Sequence, residues 1–178
     1  MLFQNDKLSV RLLEQKDSSL IVKWLSDPII LEFYEGRDNA FDLEKVQEKF
    51  YNRENGVVCC IVEFDNIPIG YIQYYPLGNE ERNSYGYADV SDVIYGMDQF
   101  IGEAVYWNNG IGTLLVNSMV SFLVEQNDAD RVVMDPQIWN ERAIRCYEKC
   151  GFKKVKLLPK NELHEGEYRD CWLIEYIN

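Results

Sequence analysis

Apolar and polar positions alternate through residues 7–14, K-L-S-V-R-L-L-E, at the period of a strand with one buried face. Asp17 then stands where it can cap a helix over residues 18–25, which Asp27-Pro28 interrupts. A short helix or turn is expected through Phe33-Tyr34-Glu35-Gly36, and Asp42 can cap a further helix that includes Lys45 and Phe50. Three apolar runs read as strands: residues 57–64, residues 69–75 after the Asp65-Asn66-Ile67-Pro68 turn, and residues 93–100. The polar stretch 78–84 reads as the loop joining the last two. From Ile111 to about Glu125 the period becomes helical, with Leu114, Leu115, Met119, Phe122 and Leu123 on one face and Val116 and Val120 widening it, so this helix should be largely buried. A strand over residues 131–135 ends in Asp135, a helix runs from about Asn140 to Cys150, and Gly151 fits its C-terminal cap. Two final strands are expected at 152–158 and 171–177. This order of strands and helices predicts a mixed sheet covered by helices in a single domain spanning residues 1–178, with no internal repeat or linker.

The composition narrows the setting. A chain of 178 residues with 47% hydrophobic content has the length and apolar content for a globular core. It shows no signal-peptide pattern and no apolar run long enough to span a bilayer, so a cytoplasmic protein is expected. Five cysteines and one histidine, without a Cys-x-x-Cys pair, argue against both a disulfide framework and a metal site. Eighteen basic against thirty acidic side chains leave a formal charge of −12, which disfavours nucleic acid and anionic membranes and favours cationic ligands. The same acidity also serves plain solubility.

Candidate chemistry begins at Tyr106-Trp107-Asn108-Asn109-Gly110-Ile111-Gly112-Thr113. Two glycines at the mouth of a helix let backbone approach a ligand closely, and the first-turn amides have no intrahelical acceptor. With the helix dipole they form a cradle for phosphate, although a glycine pair there can equally serve packing or capping. The stretch lacks the third glycine of a dinucleotide fingerprint and the Lys-Ser/Thr of a P-loop.

A second segment, Asp135 to Phe152 (D-P-Q-I-W-N-E-R-A-I-R-C-Y-E-K-C-G-F), follows about 25 residues later. Asn140, Ala143 and Tyr147 fall at i, i+3 and i+7, on one helical face, where a small residue between two hydrogen-bonding groups leaves room for a thin ligand arm. On their own, Asn140 can simply cap the helix and Tyr147 can pack in the core. Taken together, the two segments resemble the GCN5-related N-acetyltransferase superfamily. Three further segments, Trp24-Leu25 with Glu32-Phe33-Tyr34-Glu35-Gly36, Pro68 to Tyr75, and Tyr95 to Glu103, narrow the resemblance to aminoglycoside 6′-N-acetyltransferases. The resemblance implies an α/β (α+β) fold with a central mixed, mostly antiparallel sheet flanked by helices. It also implies acetyl-CoA as cosubstrate, no metal, and a cationic aminoglycoside of the kanamycin, tobramycin or amikacin type as acceptor in the bacterial cytoplasm. A monomer is favoured. The family's usual Gln or Arg is replaced by Trp107, which shifts the expected burden of pyrophosphate binding onto the amides of Asn109 to Thr113.

By the same resemblance the cofactor contacts are Phe100, Ile101, Asn109, Gly110, Ile111, Gly112, Thr113, Asn140, Ala143 and Tyr147. Acetyl transfer needs a neutral amine, yet an alkyl amine with a pKa near 10.4 is protonated at pH 7. The resemblance assigns Asp98 as the general base, acting directly or through water, and Tyr147 as the acid that protonates the departing thiolate. Asp98 can alternatively be a structural acid at a strand end. The substrate candidates are Tyr34, Gln73, Tyr75, Glu80, Glu81, Asp98, Asp135, Glu148 and Asp170, with Asp135 foremost because it ends a strand beside the cofactor segment; Glu162, Glu165 and Glu167 add to the acidic tail region. Two other readings remain at this stage: an acetyltransferase for another amine, such as a polyamine, a siderophore lysine or a protein N-terminus, and a non-catalytic acyl-CoA sensor.

Overall fold

The computed structural model describes residues 1–52 and 56–178. Its eight strands are β1 (Phe3–Asn5), β2 (Leu8–Leu12), β3 (Val58–Phe64), β4 (Ile67–Pro76), β5 (Ile94–Ile101), β6 (Arg131–Met134), β7 (Lys153–His164) and β8 (Glu167–Ile177). They are ordered β1-β2-β3-β4-β5-β6-β8-β7. The helices are α1 (Ser18–Trp24), α2 (Pro28–Leu31), α3 (Leu43–Val46, continued by a wider turn Gln47–Tyr51), α4 (Asn79–Tyr85), α5 (Ile111–Asn127) and α6 (Glu141–Lys149). The β1–β2, β2–β3 and β6–β8 pairs are antiparallel, whereas β5–β6 is parallel, giving the expected mixed, mostly antiparallel sheet. Among the described residues, no helix is long and apolar enough to cross a membrane.

The chain divides into two compact units. The first comprises Met1–Gln73, Gln99–Gly112 and Leu163–Glu167. Its core joins Ile21, Trp24 and Leu25 of α1 and its end with Ile30 and Leu31, Phe41, Phe50, Tyr71 and Phe100. Asp27 and Asp42 cap α2 and α3 by accepting the Ile29 and Lys45 amides, each at 2.9 Å. The Arg11 guanidinium lies between Asp17, at 2.7 and 2.9 Å, and Glu63, at 2.8 Å. Burial opposes a charge on Asp17, yet Arg11 and the Glu14 amide hold its carboxyl below the ordinary range.

The second unit comprises Tyr74–Asp98, Thr113–Glu162 and Tyr168–Asn178. Leu77, Tyr87, Ile94, Val133, Leu158, Cys171 and Leu173 form one buried cluster within it. Three expectations are corrected here. The polar stretch after β4 is the helix α4, not a loop. It ends at Gly86 in the left-handed conformation (φ 90°), and the Arg82 guanidinium donates to the carbonyls of Leu77, Val90 and Asp92, so tertiary bonds rather than an apolar face hold it. The last two strands extend to residues 164 and 167 and form a long hairpin, because Glu165 and Gly166 adopt positive φ and close a tight turn. The expected opening strand is β2, shortened to Leu8–Leu12, and it is preceded by an unforeseen strand β1 across a turn in which Asp6 has φ 54°.

Candidate functional site

In the first unit the segment between β5 and α5 is pinned before it reaches the glycines. Gly102 lies flat against the Trp24 indole, where an added Cβ would come within 2.3 Å of the ring. The indole N–H of Trp24 donates to Glu103 at 2.9 Å, and Lys23 pairs with the same carboxylate. Trp107, which stands where the family carries Gln or Arg, turns inward. Its Nε1 donates to the Ile101 carbonyl at 2.8 Å and its ring meets Phe33 edge-on. It therefore anchors the turn rather than facing a phosphate. Asn108 (φ 60°) and Gly110 (φ 77°) are both left-handed, and the Asn109 amide bonds to the Val105 carbonyl at 3.2 Å. Nothing lies within 4 Å of a Cβ built on Gly110, so the backbone is open to a ligand on that side. The turn leads directly into the N-terminus of α5, whose first amides and dipole suit a pyrophosphate.

Phe100 is a core side chain that packs on Trp24, Tyr34 and Tyr71. Tyr34 is half-buried against Phe100 with ring centroids 4.7 Å apart, and the Gln73 side-chain oxygen accepts from the Tyr71 hydroxyl at 2.8 Å. Glu165 is bound bidentately by Arg37 at 2.5 and 2.8 Å and so helps fix the 35–37 segment.

In the second unit, Thr113 ties α6 to the first turn of α5. Its hydroxyl lies 3.5 Å from the Cys146 sulfur, and its carbonyl accepts from Cys150 at 3.6 Å. This links the helix carrying Asn140, Ala143 and Tyr147 to the helix that follows the glycines. The Asn140 side chain does cap α6, its oxygen accepting the Ala143 amide at 3.4 Å. The capping oxygen is committed, which leaves the Asn140 amide nitrogen as the group to meet a ligand. Ala143 and Tyr147 are half-buried, and the Tyr147 ring packs against Phe152 at 6.3 Å between centroids. Hydrogen bonding with Cys150 draws the Cys146 thiol below the ordinary cysteine range, against the effect of burial.

The two foremost carboxylates are brought together by strand register. β5 and β6 pair in parallel through Ile94↔Arg131, Tyr95↔Val132 and Gly96↔Val133. Asp98 follows Gly96 by two residues within β5, and Asp135 follows Val133 by two, just past the end of β6, so the two have the same parity, and both act on Tyr75. Tyr75 lies across Gly96, where a Cβ would meet its ring at 2.4 Å, and its hydroxyl hydrogen-bonds to Asp98. Burial, then the charges of Asp98 and Asp135, push the Tyr75 phenol far above its ordinary pKa, so it stays a protonated donor. Asp135 accepts from the Tyr85 hydroxyl at 2.9 Å and from the Asn161 amide at 3.0 Å. Burial raises its carboxyl above the ordinary range, and these two hydrogen bonds work against the rise.

Tyr85 and Asn161 escape sequence reading: one sits in a stretch without apolar period, the other on an exposed part of β7. The remaining acidic candidates are deployed differently. Glu80 and Glu81 are exposed in the first turn of α4, Glu148 is exposed beside Lys154 at 3.4 Å, and Asp170 accepts the Lys160 amide at 2.8 Å.

Comparison with known proteins places this geometry. The acetyltransferase (GNAT) domain family model matches residues 14–159. An aminoglycoside N(6′)-acetyltransferase type 1 of Klebsiella pneumoniae is 31% identical over 154 residues, covering 84% of this chain and 76% of that protein. A crystal structure of the aminoglycoside acetyltransferase AAC(6′)-Ib with coenzyme A and kanamycin superposes with a TM-score of 0.78 at 26% identity, covering 96% of this chain and 95% of the other. The same enzyme with ribostamycin and coenzyme A gives a TM-score of 0.79 at 26% identity over 97% of this chain and 94% of the other.

Proposed function

The chain belongs to the GNAT acetyltransferase family, and from that premise we propose that it is an aminoglycoside 6′-N-acetyltransferase that uses acetyl-CoA. The observation that carries this reading is the pair of carboxylates, Asp98 and Asp135, each two residues past paired positions of the parallel strands β5 and β6 and each provided with a phenol donor. Two fixed negative charges suit an acceptor that carries more than one ammonium, and charge-assisted hydrogen bonds contribute about 1.5–3 kcal/mol each. Relatives named for aminoglycoside acetylation, and solved with kanamycin or ribostamycin, support the same acceptor class.

Acetyl-CoA, when bound, supplies an activated acetyl thioester. Pyrophosphate is received by the amides of Asn109 to Thr113 at the head of α5, and the open side of Gly110 lets it approach. The face of α6 bearing Asn140, Ala143 and Tyr147 flanks the pantetheine arm, with the small Ala143 giving room for it. Asp98 orients the amine and takes its proton, directly or through water. Tyr75 holds the Asp98 carboxylate while this happens. Tyr147 returns a proton to the thiolate. Asp135 receives a second ammonium of the acceptor. The reaction takes place in the cytoplasm, where acetyl-CoA is available.

The test is turnover of kanamycin with acetyl-CoA, followed by mass and NMR assignment of the product. One acetyl on the 6′ nitrogen is expected. Absence of kanamycin acetylation together with turnover of spermidine or a peptide amine would replace the acceptor assignment and leave the family standing.

A further inference from the structure

A carboxylate that must stay ionised while partly buried needs compensation, and the neighbourhood of Asp135 supplies it in one form. Tyr85 of α4, Tyr75 of β4 and Cys171 of β8 feel its charge; facing those three in turn are Glu81 of α4 and Asp98 of β5 at Tyr85, Asp98 again at Tyr75, and Glu162 of β7 and Asp170 of β8 at Cys171. Every one of these is acidic or neutral, so none offsets its charge. What offsets it is a pair of hydrogen bonds, from the Tyr85 hydroxyl and the Asn161 side-chain amide, both to Oδ2. The backbone amide of Asp135 itself adds a further bond.

The two donors come from separate elements that are braced in advance. Tyr85 is the last residue of α4, whose end is held by Gly86 in the left-handed conformation and by the three carbonyl bonds of Arg82. Lys156 of β7 donates to the Ser84 carbonyl at 2.9 Å, which fastens the end of α4 to the strand that carries Asn161. Burial, then the charge of Asp135, keeps the Tyr85 phenol protonated, so it remains a donor across the working pH range. Both side-chain donors are on Oδ2, and Oδ1 is the oxygen that neither of them takes.

We propose that Tyr85 and Asn161 are positioning residues for the acceptor amine: by bonding one oxygen of Asp135 they fix its carboxyl group and aim the other oxygen at the substrate. The proposal rests on the reading that Asp135 receives an ammonium of the acceptor. The sign of the effect follows from the chemistry. A hydrogen bond to the charged form lowers a carboxyl pKa, so removing either donor raises it. The carboxylate is then lost at a higher pH, and affinity for a cation falls as pH drops through the raised value.

Two measurements test this. Carboxyl-labelled aspartate NMR follows Asp135 through a pH titration in the wild type, Tyr85→Phe and Asn161→Ala, with Asp135→Asn assigning the resonance. The midpoint is expected to rise by about one pH unit for each donor removed, since a charge-assisted hydrogen bond of this kind corresponds to at least that much. Steady-state kinetics with kanamycin are run on the same proteins from pH 5.5 to 8.5. KM for kanamycin should rise about tenfold on the acid side of the profile and converge on the wild-type value at high pH, with KM for acetyl-CoA unaffected. A merely structural role would raise KM equally at every pH. Asn161 is exposed on β7, so Asn161→Ala keeps the test alive if Tyr85→Phe does not fold. If Asp135→Asn weakens kanamycin binding but the Asp135 midpoint does not move in either donor variant, the positioning role is overturned and the acceptor reading stands. If Asp135→Asn binds kanamycin as the wild type does, the acceptor reading of Asp135 falls and the proposal falls with it.

Discussion

Gly96 offers a sharp test of how the catalytic strand is built. In Gly96→Ala the new Cβ would sit 2.4, 2.6 and 2.9 Å from Cε2, Cζ and the hydroxyl oxygen of Tyr75, where ordinary contact begins at about 3.4 Å. The ring must therefore retreat by about 1 Å, and it cannot do so while keeping its hydrogen bond to Asp98. Overpacking of this kind costs about 1–3 kcal/mol, and the lost bond to a carboxylate adds about 1.5–3 kcal/mol. Set against that, alanine in a strand is favoured over glycine by about 0.5–1 kcal/mol. The net expectation is a loss of about 1.5–5.5 kcal/mol. In a Tyr75→Ala background the clash and the bond are both absent, so Gly96→Ala should be neutral or stabilise by up to about 1 kcal/mol. Urea unfolding of the four proteins, followed by far-ultraviolet circular dichroism, gives the coupling directly. The single variant Gly96→Ala should also lower kcat, since Asp98 loses its donor. Additive effects within about 0.5 kcal/mol would show that Tyr75 does not bear on Gly96 and would refute the account of this strand.

Asp98→Asn preserves shape but removes the proposed base, and should reduce kcat for kanamycin by about 100-fold or more while acetyl-CoA binding, measured by calorimetry, changes little; an unchanged kcat takes Asp98 out of the mechanism. Tyr147→Phe should lower kcat by about tenfold or more with a melting temperature within a few degrees of the wild type, because Tyr147 is only half-buried. A loss of folding without a specific loss of kcat would make it a packing residue. Asp17→Asn should cost about 3 kcal/mol at pH 7, because it strips the nearly buried Arg11 of a bidentate partner and leaves it Glu63 alone. The folded Asp17 carboxyl lies below its unfolded value, so its contribution is fully present above about pH 4 and fades as pH falls through the folded pKa; the stability gap between variant and wild type should close on acidification.

Legibility in the sequence followed the reach of each interaction. The strands around Val10, Ile61 and Val133 and the helix over residues 111–127 were readable because their apolar period reports a buried face. The faces of α6 were readable because Asn140, Ala143 and Tyr147 are helical neighbours. α4 was not readable, since its residues N-E-E-R-N-S-Y present no apolar period and the helix is held by Arg82 reaching three distant carbonyls. The outer half of β7 was missed for a related reason: residues 159–163 are all exposed, so no alternation marks them as strand. Charge was the least legible property. Asp135, Glu148 and Glu165 look alike in the sequence, yet one is held by two neutral donors, one lies beside Lys154, and one is locked by Arg37.

The acidic composition gains its meaning from register. Asp98 and Asp135 are far apart in the chain, and only the parallel pairing of Gly96 with Val133 sets them side by side. Each has its own phenol, Tyr75 for Asp98 and Tyr85 for Asp135. In the proposed reading, this pair of carboxyl groups is best matched by an acceptor bearing at least two ammonium groups. A monoamine leaves one of them uncompensated in a partly buried site, at a cost in affinity that a polyamino sugar avoids. The proposed selectivity for a polycation would thus follow from two strands whose pairing ends two residues before their acids.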